Sequence, residues 1–341
     1  MKNILLISCG SIGRRHLKNT RKLLPDCRIG IYRLHNTDAK NVPEEANEVF
    51  YSQEEASAFK PDCVIVSSPA NQHVKNTMDF LETGANVFIE KPLATSSLDI
   101  EPLVYTAAES NHFTMVGYVL RFQPIFSFLK NYLASGKLGI VHSANVEVGQ
   151  FLPDWRPNAD YRQGVSAQKA LGGGVLLELS HEVDYSSWLF GFPDSVICSA
   201  DRLSNLEIDV EDSACMIMEF HKPKKRIVLQ LDFLQRSASM RLQVVGSLAT
   251  LHADFIKEEA YISTPRGTEA LKVPKMDSGN EMYLRQFDYF FHRSFEDYQP
   301  IFPETHRFND HSSIATASKV LKLIDMARIS AETGKRIHLD G

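Results

Sequence analysis

The sequence predicts an α/β domain with a parallel sheet, followed by an α+β domain with a mostly antiparallel sheet. Up to about residue 121, short apolar runs alternate with helix-compatible stretches, which is typical of strands joined by helical crossovers. Beyond that point, longer stretches alternate polar and apolar residues with few helices between them. The length of 341 residues suits about two domains of ~150 residues. We therefore expect one domain over residues 1–121 and a second over residues 122–341.

The first domain begins with an apolar strand and continues with further buried strands and amphipathic helices. The apolar runs predict strands at 4–7, 28–32, 63–67, 87–89 and 112–116. The stretches between them predict helices at 12–24, 73–83 and 101–110. Since helices separate consecutive strands, the sheet is expected to be parallel.

The second domain begins with a helix at 124–135 and continues mainly with strands. Alternation predicts strands at 141–148, 195–200, 214–220, 226–233, 240–245 and 248–253. A helix at 175–190 is expected to interrupt them early. A final helix, at about 312–333, is a candidate to pack back on the first domain.

Composition excludes several classes of function. The formal charge of −5 and the lack of a basic stripe argue against nucleic acid as a partner. The five cysteines form no Cys-x-x-Cys pair, which favours a reduced, cytoplasmic protein. No run approaches the ~18 apolar residues of a membrane span, so no membrane association is expected.

A glycine turn follows the first strand and suggests a dinucleotide site. Ser8, Gly10 and Gly13 take the three positions of a Gly-x-Gly-x-x-Gly fingerprint, with serine in the first place. With Ser11 and Ile12 between them, they would bring a helix N-terminus to a pyrophosphate. The alternative is a plain strand–turn–helix connection.

Arg33 stands 20 residues after Gly13, at the end of the second predicted strand. This position meets the adenosine ribose in dinucleotide-binding domains, where an acid favours NAD and an arginine favours NADP. We therefore expect the cofactor to be NADP or NAD, and Arg33 favours NADP. A surface arginine at a strand end is the alternative.

Lys91 lies in the tripeptide Glu90-Lys91-Pro92, directly after a predicted strand. The carboxyl ends of parallel strands are where open α/β sheets bind ligands. A lysine there can hydrogen-bond a substrate hydroxyl and stabilise charge as a hydride leaves. The alternative is an ordinary solvated lysine.

A second candidate cluster follows three consecutive glycines at 172–174, which permit a close approach of the backbone to a ligand. Helical spacing would place Glu178, His181, Glu182 and Tyr185 on one face of the following helix. Histidine is the natural proton acceptor at neutral pH. A solvated acidic first turn is the alternative. A metal site is not expected, because no second Glu-x-x-His copy accompanies the first.

The loop at 152–162 combines arginines, aspartates and aromatic residues. Trp155 and Tyr161 suit a sugar face, and Arg156 and Arg162 suit an anionic group. A loop held together by its own Arg–Asp pairs explains the same residues.

Taken together, these motifs have a familiar order. The glycine turn is followed by Ser-Pro-x-x-x-His at 68–73, Glu-Lys-Pro at 90–92, Gly-Tyr-x-x-Arg-Phe at 117–122 and the Gly-Gly-Gly…His helix. Over nearly the whole chain this order resembles the Gfo/Idh/MocA oxidoreductases, and the loop resembles a bacterial subgroup linked to surface sugars. The resemblance implies a Rossmann domain that binds NAD(P), and an open-faced second sheet that often forms an oligomer interface.

The resemblance also implies roles for particular residues. Lys91 would contact the reacting hydroxyl, and His181 would move the proton. The family pattern spaces the acid and the histidine by four residues, whereas Glu178 and His181 are three apart, so Glu178, Glu182 and Asp184 remain alternative partners of His181. Further residues fall on cofactor-binding or substrate-binding positions: Ser68, Pro69, His73 and Glu90 for the cofactor, Arg121 and Glu182 for the substrate.

These expectations define two hypotheses. In the first, the protein transfers hydride between a nicotinamide and a carbon of a sugar, sugar acid or nucleotide sugar, and forms a homo-oligomer. In the second, the same fold is a non-catalytic NAD(P)-binding sensor. The presence of both Lys91 and His181 favours the enzyme.

Overall fold

The computed structural model describes residues 1–34, 42–98, 100–307 and 312–339. The chain divides into two compact units. The first contains Met1–Phe122 and Ser278–Lys319, and the second contains Gln123–Asp277 and Val320–Gly341. The predicted range 122–341 therefore includes residues 278–319, which the structure groups with the first unit.

The first unit is built on a six-stranded parallel sheet. Its strands are β1 (Asn3–Ile7), β2 (Arg28–Tyr32), β3 (Glu48–Phe50), β4 (Cys63–Val66), β5 (Asn86–Ile89) and β6 (Thr114–Val116). Their order is β3-β2-β1-β4-β5-β6, and every pairing is parallel. The order reverses between β1 and β4, and open sheets of this kind bind ligands at the carboxyl ends of the strands beside such a reversal.

In the part of the first unit that the structure describes, five α-helices lie wholly within it: α1 (Ser11–Leu23), α2 (Gln53–Ala58), α3 (His73–Leu81), α4 (Glu101–Glu109) and α8 (Glu281–Ser294). The sequence analysis did not identify α8, although Leu284, Phe287 and Phe291 recur with helical spacing. These apolar side chains join Phe88 of β5 in the core. Burial of this aromatic cluster explains why a segment remote in sequence belongs to the first unit.

The second unit is built on a nine-stranded, mostly antiparallel sheet. Its strands are β7 (Val141–Gly149), β8 (Ser195–Asp201), β9 (Ser213–His221), β10 (Lys224–Asp232), β11 (Ser239–Gly246), β12 (Thr250–Asp254), β13 (Glu259–Thr264), β14 (Gly267–Leu271) and β15 (Ile337–His338). The order is β14-β13-β12-β11-β7-β10-β9-β8-β15, and β7 with β10 is the parallel pair. The predicted fold class, a parallel α/β domain plus a mostly antiparallel α+β domain, is confirmed.

Helices α5 (Pro124–Ala134), α6 (Val175–Glu178) and α7 (Ser180–Phe190) accompany this sheet. The prediction of a single helix at 175–190 is wrong. The chain leaves helical geometry at Leu179 (φ −94°, ψ 33°), and α6 and α7 are separate helices. The spacing argument that put Glu178 on one face with His181 therefore does not hold across the break.

Helix α9 (Ile314–Thr333) follows near the C-terminus. The division between the units falls within it, after Lys319. Among the described residues, no helix has both the length and the apolar character that crossing a membrane requires.

Candidate dinucleotide site and catalytic residues

The glycine turn between β1 and α1 presents an uncapped helix N-terminus. Gly10 is the N-cap residue of α1; no side chain caps the helix, and its first turn carries no acidic residue. The N–H groups of a first helical turn lack partners within the helix and attract anions. Ser8, with φ 67°, makes the turn in the left-handed region, and its N–H donates to the Tyr32 carbonyl at 2.9 Å.

The two glycines of the turn have different surroundings. A Cβ on Gly13 would lie 2.8 Å from both Ser67 Oγ and the Ser8 carbonyl oxygen, whereas a Cβ on Gly10 would meet no atom within 4 Å. Gly13 thus allows α1 to pack closely against β1 and β4, and Gly10 leaves open space at the helix N-terminus. This cradle fits the pyrophosphate of a dinucleotide.

Ser68, Pro69 and His73 lie just beyond the end of β4. The His73 ring is 1% exposed; its Nε2 lies 2.7 Å from the Ser68 carbonyl oxygen and its Nδ1 lies 2.8 Å from the Pro92 carbonyl oxygen. Burial lowers the pKa of His73, although both carbonyl contacts and the charge of Glu90 oppose that shift. His73 thus connects the segments that follow β4 and β5 through their backbone carbonyls, and its place at the cofactor stays a prediction.

Glu90 is a buried acidic group at the end of β5, only 8% exposed. One carboxylate oxygen lies 2.5 Å from His16 Nε2, and the other accepts the backbone N–H of Lys91 at 3.0 Å. Burial raises the pKa of Glu90, but the hydrogen bond with His16, the charge of Lys91 and the Lys91 N–H together bring it below the ordinary value. Glu90 is therefore ionised at neutral pH, next to Lys91.

His16 is a functional candidate that the sequence motifs did not single out. It lies on the buried stripe of α1 with Gly13, Leu17 and Thr20, at i, i+3, i+4 and i+7 from Gly13. A histidine on the inward face of this helix was the available signal. Its partner Glu90 is 74 positions away in sequence, so the contact itself had no local signature.

Lys91 and Arg33 lie where the sequence predicted, each directly after a strand of the parallel sheet. Lys91 follows Glu90 at the end of β5 and is half-buried. Arg33 follows β2, and its N–H donates to the Phe50 carbonyl at 3.0 Å. Burial raises the pKa of the Cys9 thiol, and the charges of Arg14 and Arg33 oppose that shift. Two cationic groups thus act at the turn that would hold the phosphates.

In the second unit, Glu178 is the last residue of α6, and His181 lies in the first turn of α7. The Ser166 hydroxyl donates to the Glu178 carboxylate at 2.9 Å. Glu182 is only 3% exposed, and Asp184 is 2% exposed. Tyr185 is fully buried and packs against Phe126. Its burial is the main reason that its pKa is raised, and the nearby charge of Glu182 adds to the shift.

Two of the three glycines before α6 lie close to other parts of the protein. A Cβ on Gly173 would lie 2.4 Å from the Val165 carbonyl oxygen. Gly174 has φ 101°, and a Cβ there would lie 2.4 Å from the Glu211 carboxylate. That carboxylate accepts the N–H of Leu176 at 3.2 Å at the start of α6. Packing within the protein thus accounts for these two glycines, and a close approach of their backbone to a ligand stays a prediction.

The loop at 152–162 is tied to its own unit. The Arg162 guanidinium binds both oxygens of Asp160, at 2.8 and 2.9 Å, and Glu207 at 3.0 Å. The Tyr161 hydroxyl accepts the N–H of Glu207, at 3.2 Å. These contacts match the structural alternative for Arg162, so its part in substrate binding stays a prediction.

Three other substrate candidates differ in exposure. Trp155 packs edge-on against Phe233 and donates its indole N–H to the Gln150 carbonyl at 3.1 Å. Arg156 is exposed, and Arg121, after β6, is 6% exposed. Within the described ranges, no cluster of three or more histidine, cysteine, aspartate or glutamate side chains is arranged to hold a metal ion.

Comparison with known proteins identifies the family. Residues 2–118 match the family described as "Oxidoreductase family, NAD-binding Rossmann fold", and residues 126–252 match the "GFO/IDH/MocA C-terminal domain". The chain belongs to the Gfo/Idh/MocA oxidoreductase family. The predicted family is thus confirmed, and the N-terminal domain binds a nicotinamide dinucleotide.

Curated relatives of this Gfo/Idh/MocA protein are distant dehydrogenases and oxidoreductases. Myo-inositol 2-dehydrogenase of Thermotoga maritima is 22% identical over 268 residues, which cover 76% of this chain and 77% of the relative. The uncharacterized oxidoreductase YhhX of Escherichia coli is 29% identical over 212 residues, and this match spans only 59% of either chain.

Solved structures share the fold over nearly the whole length. Levoglucosan dehydrogenase, in complex with NADH, has a TM-score of 0.82 at 16% identity and covers 99% of both chains. The WlbA dehydrogenase from Bordetella pertussis, in complex with NADH and UDP-GlcNAcA, has a TM-score of 0.77 at 17% identity, again over 99% of both chains.

Proposed function

We propose that this Gfo/Idh/MocA protein interconverts a CH–OH group and a carbonyl on a sugar, sugar acid or nucleotide sugar, with NADP or NAD as cofactor. The position of Lys91 carries the proposal. It follows β5, which pairs with β4, one of the two strands at the reversal of strand order, and the ionised Glu90 accepts its backbone N–H. The relatives named for inositol and levoglucosan support a polyhydroxylated substrate.

The chemistry divides between two side chains. When bound, the nicotinamide ring supplies the hydride acceptor or donor. The Lys91 ammonium donates a hydrogen bond to the substrate oxygen and stabilises the negative charge that develops there. His181 accepts the hydroxyl proton during oxidation and returns it during reduction, as a positioned histidine can near neutral pH.

The cofactor is held by the cradle of the first unit. First-turn N–H groups of α1 would bind the pyrophosphate beside Gly10, and Arg33 would meet a 2′-phosphate on the adenosine ribose. We therefore favour NADP over NAD. The guanidinium fork suits a phosphate better than a ribose hydroxyl.

The test begins by finding ligands that raise the melting temperature, because a ligand that binds only the folded state stabilises it by mass action. NAD⁺, NADP⁺ and a panel of sugars, sugar acids and nucleotide sugars would be screened, and turnover followed by absorbance of the reduced cofactor. We expect Lys91→Met and His181→Ala each to lower kcat by about 10²–10⁴-fold, the usual contribution of a positioned acid–base group.

Matched controls are available on the same chain. Lys75→Met on α3 and His221→Ala at the end of β9 remove exposed side chains of the same types and should leave kcat unchanged. Full turnover in both Lys91→Met and His181→Ala would contradict the assignment. A protein that binds NADP but turns over no member of the panel would instead support the non-catalytic sensor.

A further inference from the structure

The buried Glu90 carboxylate connects two different elements of the first unit. Its Oε1 lies 2.5 Å from His16 Nε2 on α1, and its Oε2 accepts the Lys91 N–H at 3.0 Å. Helix α1 begins at the glycine turn, and Lys91 begins the segment after β5. Glu90 therefore ties the helix of the phosphate cradle to the backbone of the candidate catalytic lysine.

The His16 ring is fixed by its packing. It is fully buried, with its centroid 5.5 Å from that of Phe88 in an edge-to-face arrangement and 4.7 Å from that of Phe287. An ionised carboxylate can only accept, so the ring hydrogen belongs on Nε2 and points at Glu90. Among the described residues, Nδ1 has no hydrogen-bond partner, so Glu90 is the only group there with which the His16 ring forms a hydrogen bond.

Gly117 confines the carboxylate from another side. A Cβ on Gly117 would lie 2.9 Å from Phe88 Cζ and 3.2 Å from Glu90 Oε1. The absent side chain is what makes room for the carboxylate at this position. The orientation of Glu90 thus depends on the side-chain donor His16, on the Lys91 N–H and on the space that Gly117 leaves.

We propose that His16 is a positioning residue for Lys91. It acts by orienting the Glu90 carboxylate and touches neither cofactor nor substrate. The proposal rests on the function above, in which Lys91 donates to the substrate oxygen. His16 keeps the Glu90 carboxylate turned toward Lys91. It thereby fixes the backbone from which the lysine side chain extends and keeps an anionic charge beside the ammonium group.

Loss of the His16 donor should change the ionisation of Glu90. The titratable or charged groups that act with Glu90 are His16 on α1, the adjacent Lys91, His73 on α3, and Tyr283 on α8, whose ring lies 4.4 Å from the Arg15 guanidinium. His16→Phe retains an aromatic ring but removes the donor. A buried carboxylate that has lost its donor favours the protonated form. The activity of His16→Phe should therefore fall at low pH, where Glu90 takes up a proton.

The experiment compares kcat, KM and their pH dependence for the wild type, His16→Phe and His16→Gln. We expect His16→Phe to lower kcat about ten- to hundredfold, the scale of a small misplacement of a catalytic group, with a new limb that ascends with pH. His16→Gln restores an N–H donor and should recover most of kcat without that limb. The dissociation constant of NADPH, measured by fluorescence, should change in neither variant.

Thr20→Val provides the matched control. Thr20 lies one turn further along α1 and is 1% exposed, so the substitution alters the same helix without removing the donor to Glu90. Gly117→Ala gives a second test that leaves His16 intact. Its methyl group would press on the carboxylate, and kcat should fall as it does in His16→Phe.

Two outcomes separate this inference from the proposed function. If Lys91→Met loses turnover while His16→Phe keeps the wild-type kcat and pH profile, or changes only the melting temperature, the role of His16 is wrong and the function stands. If Lys91→Met keeps its turnover, the proposed function fails first. Should His16→Phe not fold, Gly117→Ala decides the question, because His16→Gln is expected to keep most of kcat. An unchanged kcat and pH profile in Gly117→Ala would then overturn the role, since its methyl group is expected to displace the Glu90 carboxylate.

Discussion

The substitution Gly10→Ala should separate cofactor binding from folding. Gly10 has φ −72° and ψ −160°, a conformation open to alanine, and a Cβ there would meet no atom within 4 Å. The folded chain can therefore accept the methyl group without rearrangement. Because alanine restricts the unfolded chain, the free energy of unfolding should rise by about 0.4–1 kcal/mol.

The same methyl group would enter the space that we assign to the pyrophosphate. If it prevents one first-turn N–H from reaching a phosphate oxygen, the loss is that of a hydrogen bond to a charged group, about 1.5–3 kcal/mol. At about 1.4 kcal/mol per factor of ten, the dissociation constant of the dinucleotide should rise about ten- to 150-fold.

Gly13→Ala provides the contrast. Its Cβ would lie 2.8 Å from the Ser8 carbonyl oxygen, a backbone atom that cannot move aside without displacing the turn. Overpacking of this kind costs about 1–3 kcal/mol. Stability and affinity should therefore fall together in Gly13→Ala, whereas they move in opposite directions in Gly10→Ala.

Two measurements check this reasoning. Urea denaturation without cofactor gives the free energy of unfolding, and titration of NADPH fluorescence gives the dissociation constant. Wild-type affinity in a stable Gly10→Ala variant would refute the placement of the pyrophosphate at this helix N-terminus.

Three other substitutions test separate parts of the structure. Arg33→Ala should raise the dissociation constant of NADP⁺ about tenfold or more while changing that of NAD⁺ little, since only NADP⁺ has the 2′-phosphate; equal effects on both would exclude this role. Burial lowers the pKa of His73, so the unfolded state binds a proton at higher pH than the folded state does, and wild-type stability should fall as the pH drops below about 6.5. Urea denaturation of the wild type and of His73→Gln should show that the difference between their free energies of unfolding shrinks in that range. A difference that stays constant with pH would contradict this prediction. Gly174→Ala, at φ 101° and beside Glu211, should lower the free energy of unfolding by about 1–3 kcal/mol, and an unchanged melting temperature would show that the turn relaxes.

Elements with a strong local pattern were predictable from the sequence, and those defined by distant partners were not. The apolar run of β1, its glycine turn and helix α1 lie within 23 residues, so the sequence contains all their signals. Strand β14, by contrast, is mostly exposed and has little apolar alternation; it forms because β13 offers it hydrogen-bonding partners. Its existence is a property of the sheet rather than of its own residues.

The candidate site divides in the same way. The sequence was sufficient to place Lys91 and Arg33 at strand ends, because strand ends are local features. The sequence did not show that the helix breaks at Leu179, because no proline or glycine lies between Val175 and Phe190. Nor did it show which carboxylate serves Lys91, because the contact of Glu90 with His16 depends on how α1 packs on the sheet.

Ser8 shows how an imperfect fingerprint can still build the turn. The first glycine of the fingerprint is needed for a tight turn, and Ser8 makes that turn with φ 67°, which costs a non-glycine residue about 1–2 kcal/mol. The surroundings hold it there: its N–H bonds to Tyr32, its carbonyl accepts the Ser67 hydroxyl at 2.9 Å, and Gly13 leaves room for that carbonyl. A strained residue persists when several contacts fix it at once. The fingerprint therefore tolerates serine in its first place, while the close contact between Gly13 and the Ser8 carbonyl makes its third glycine indispensable for packing.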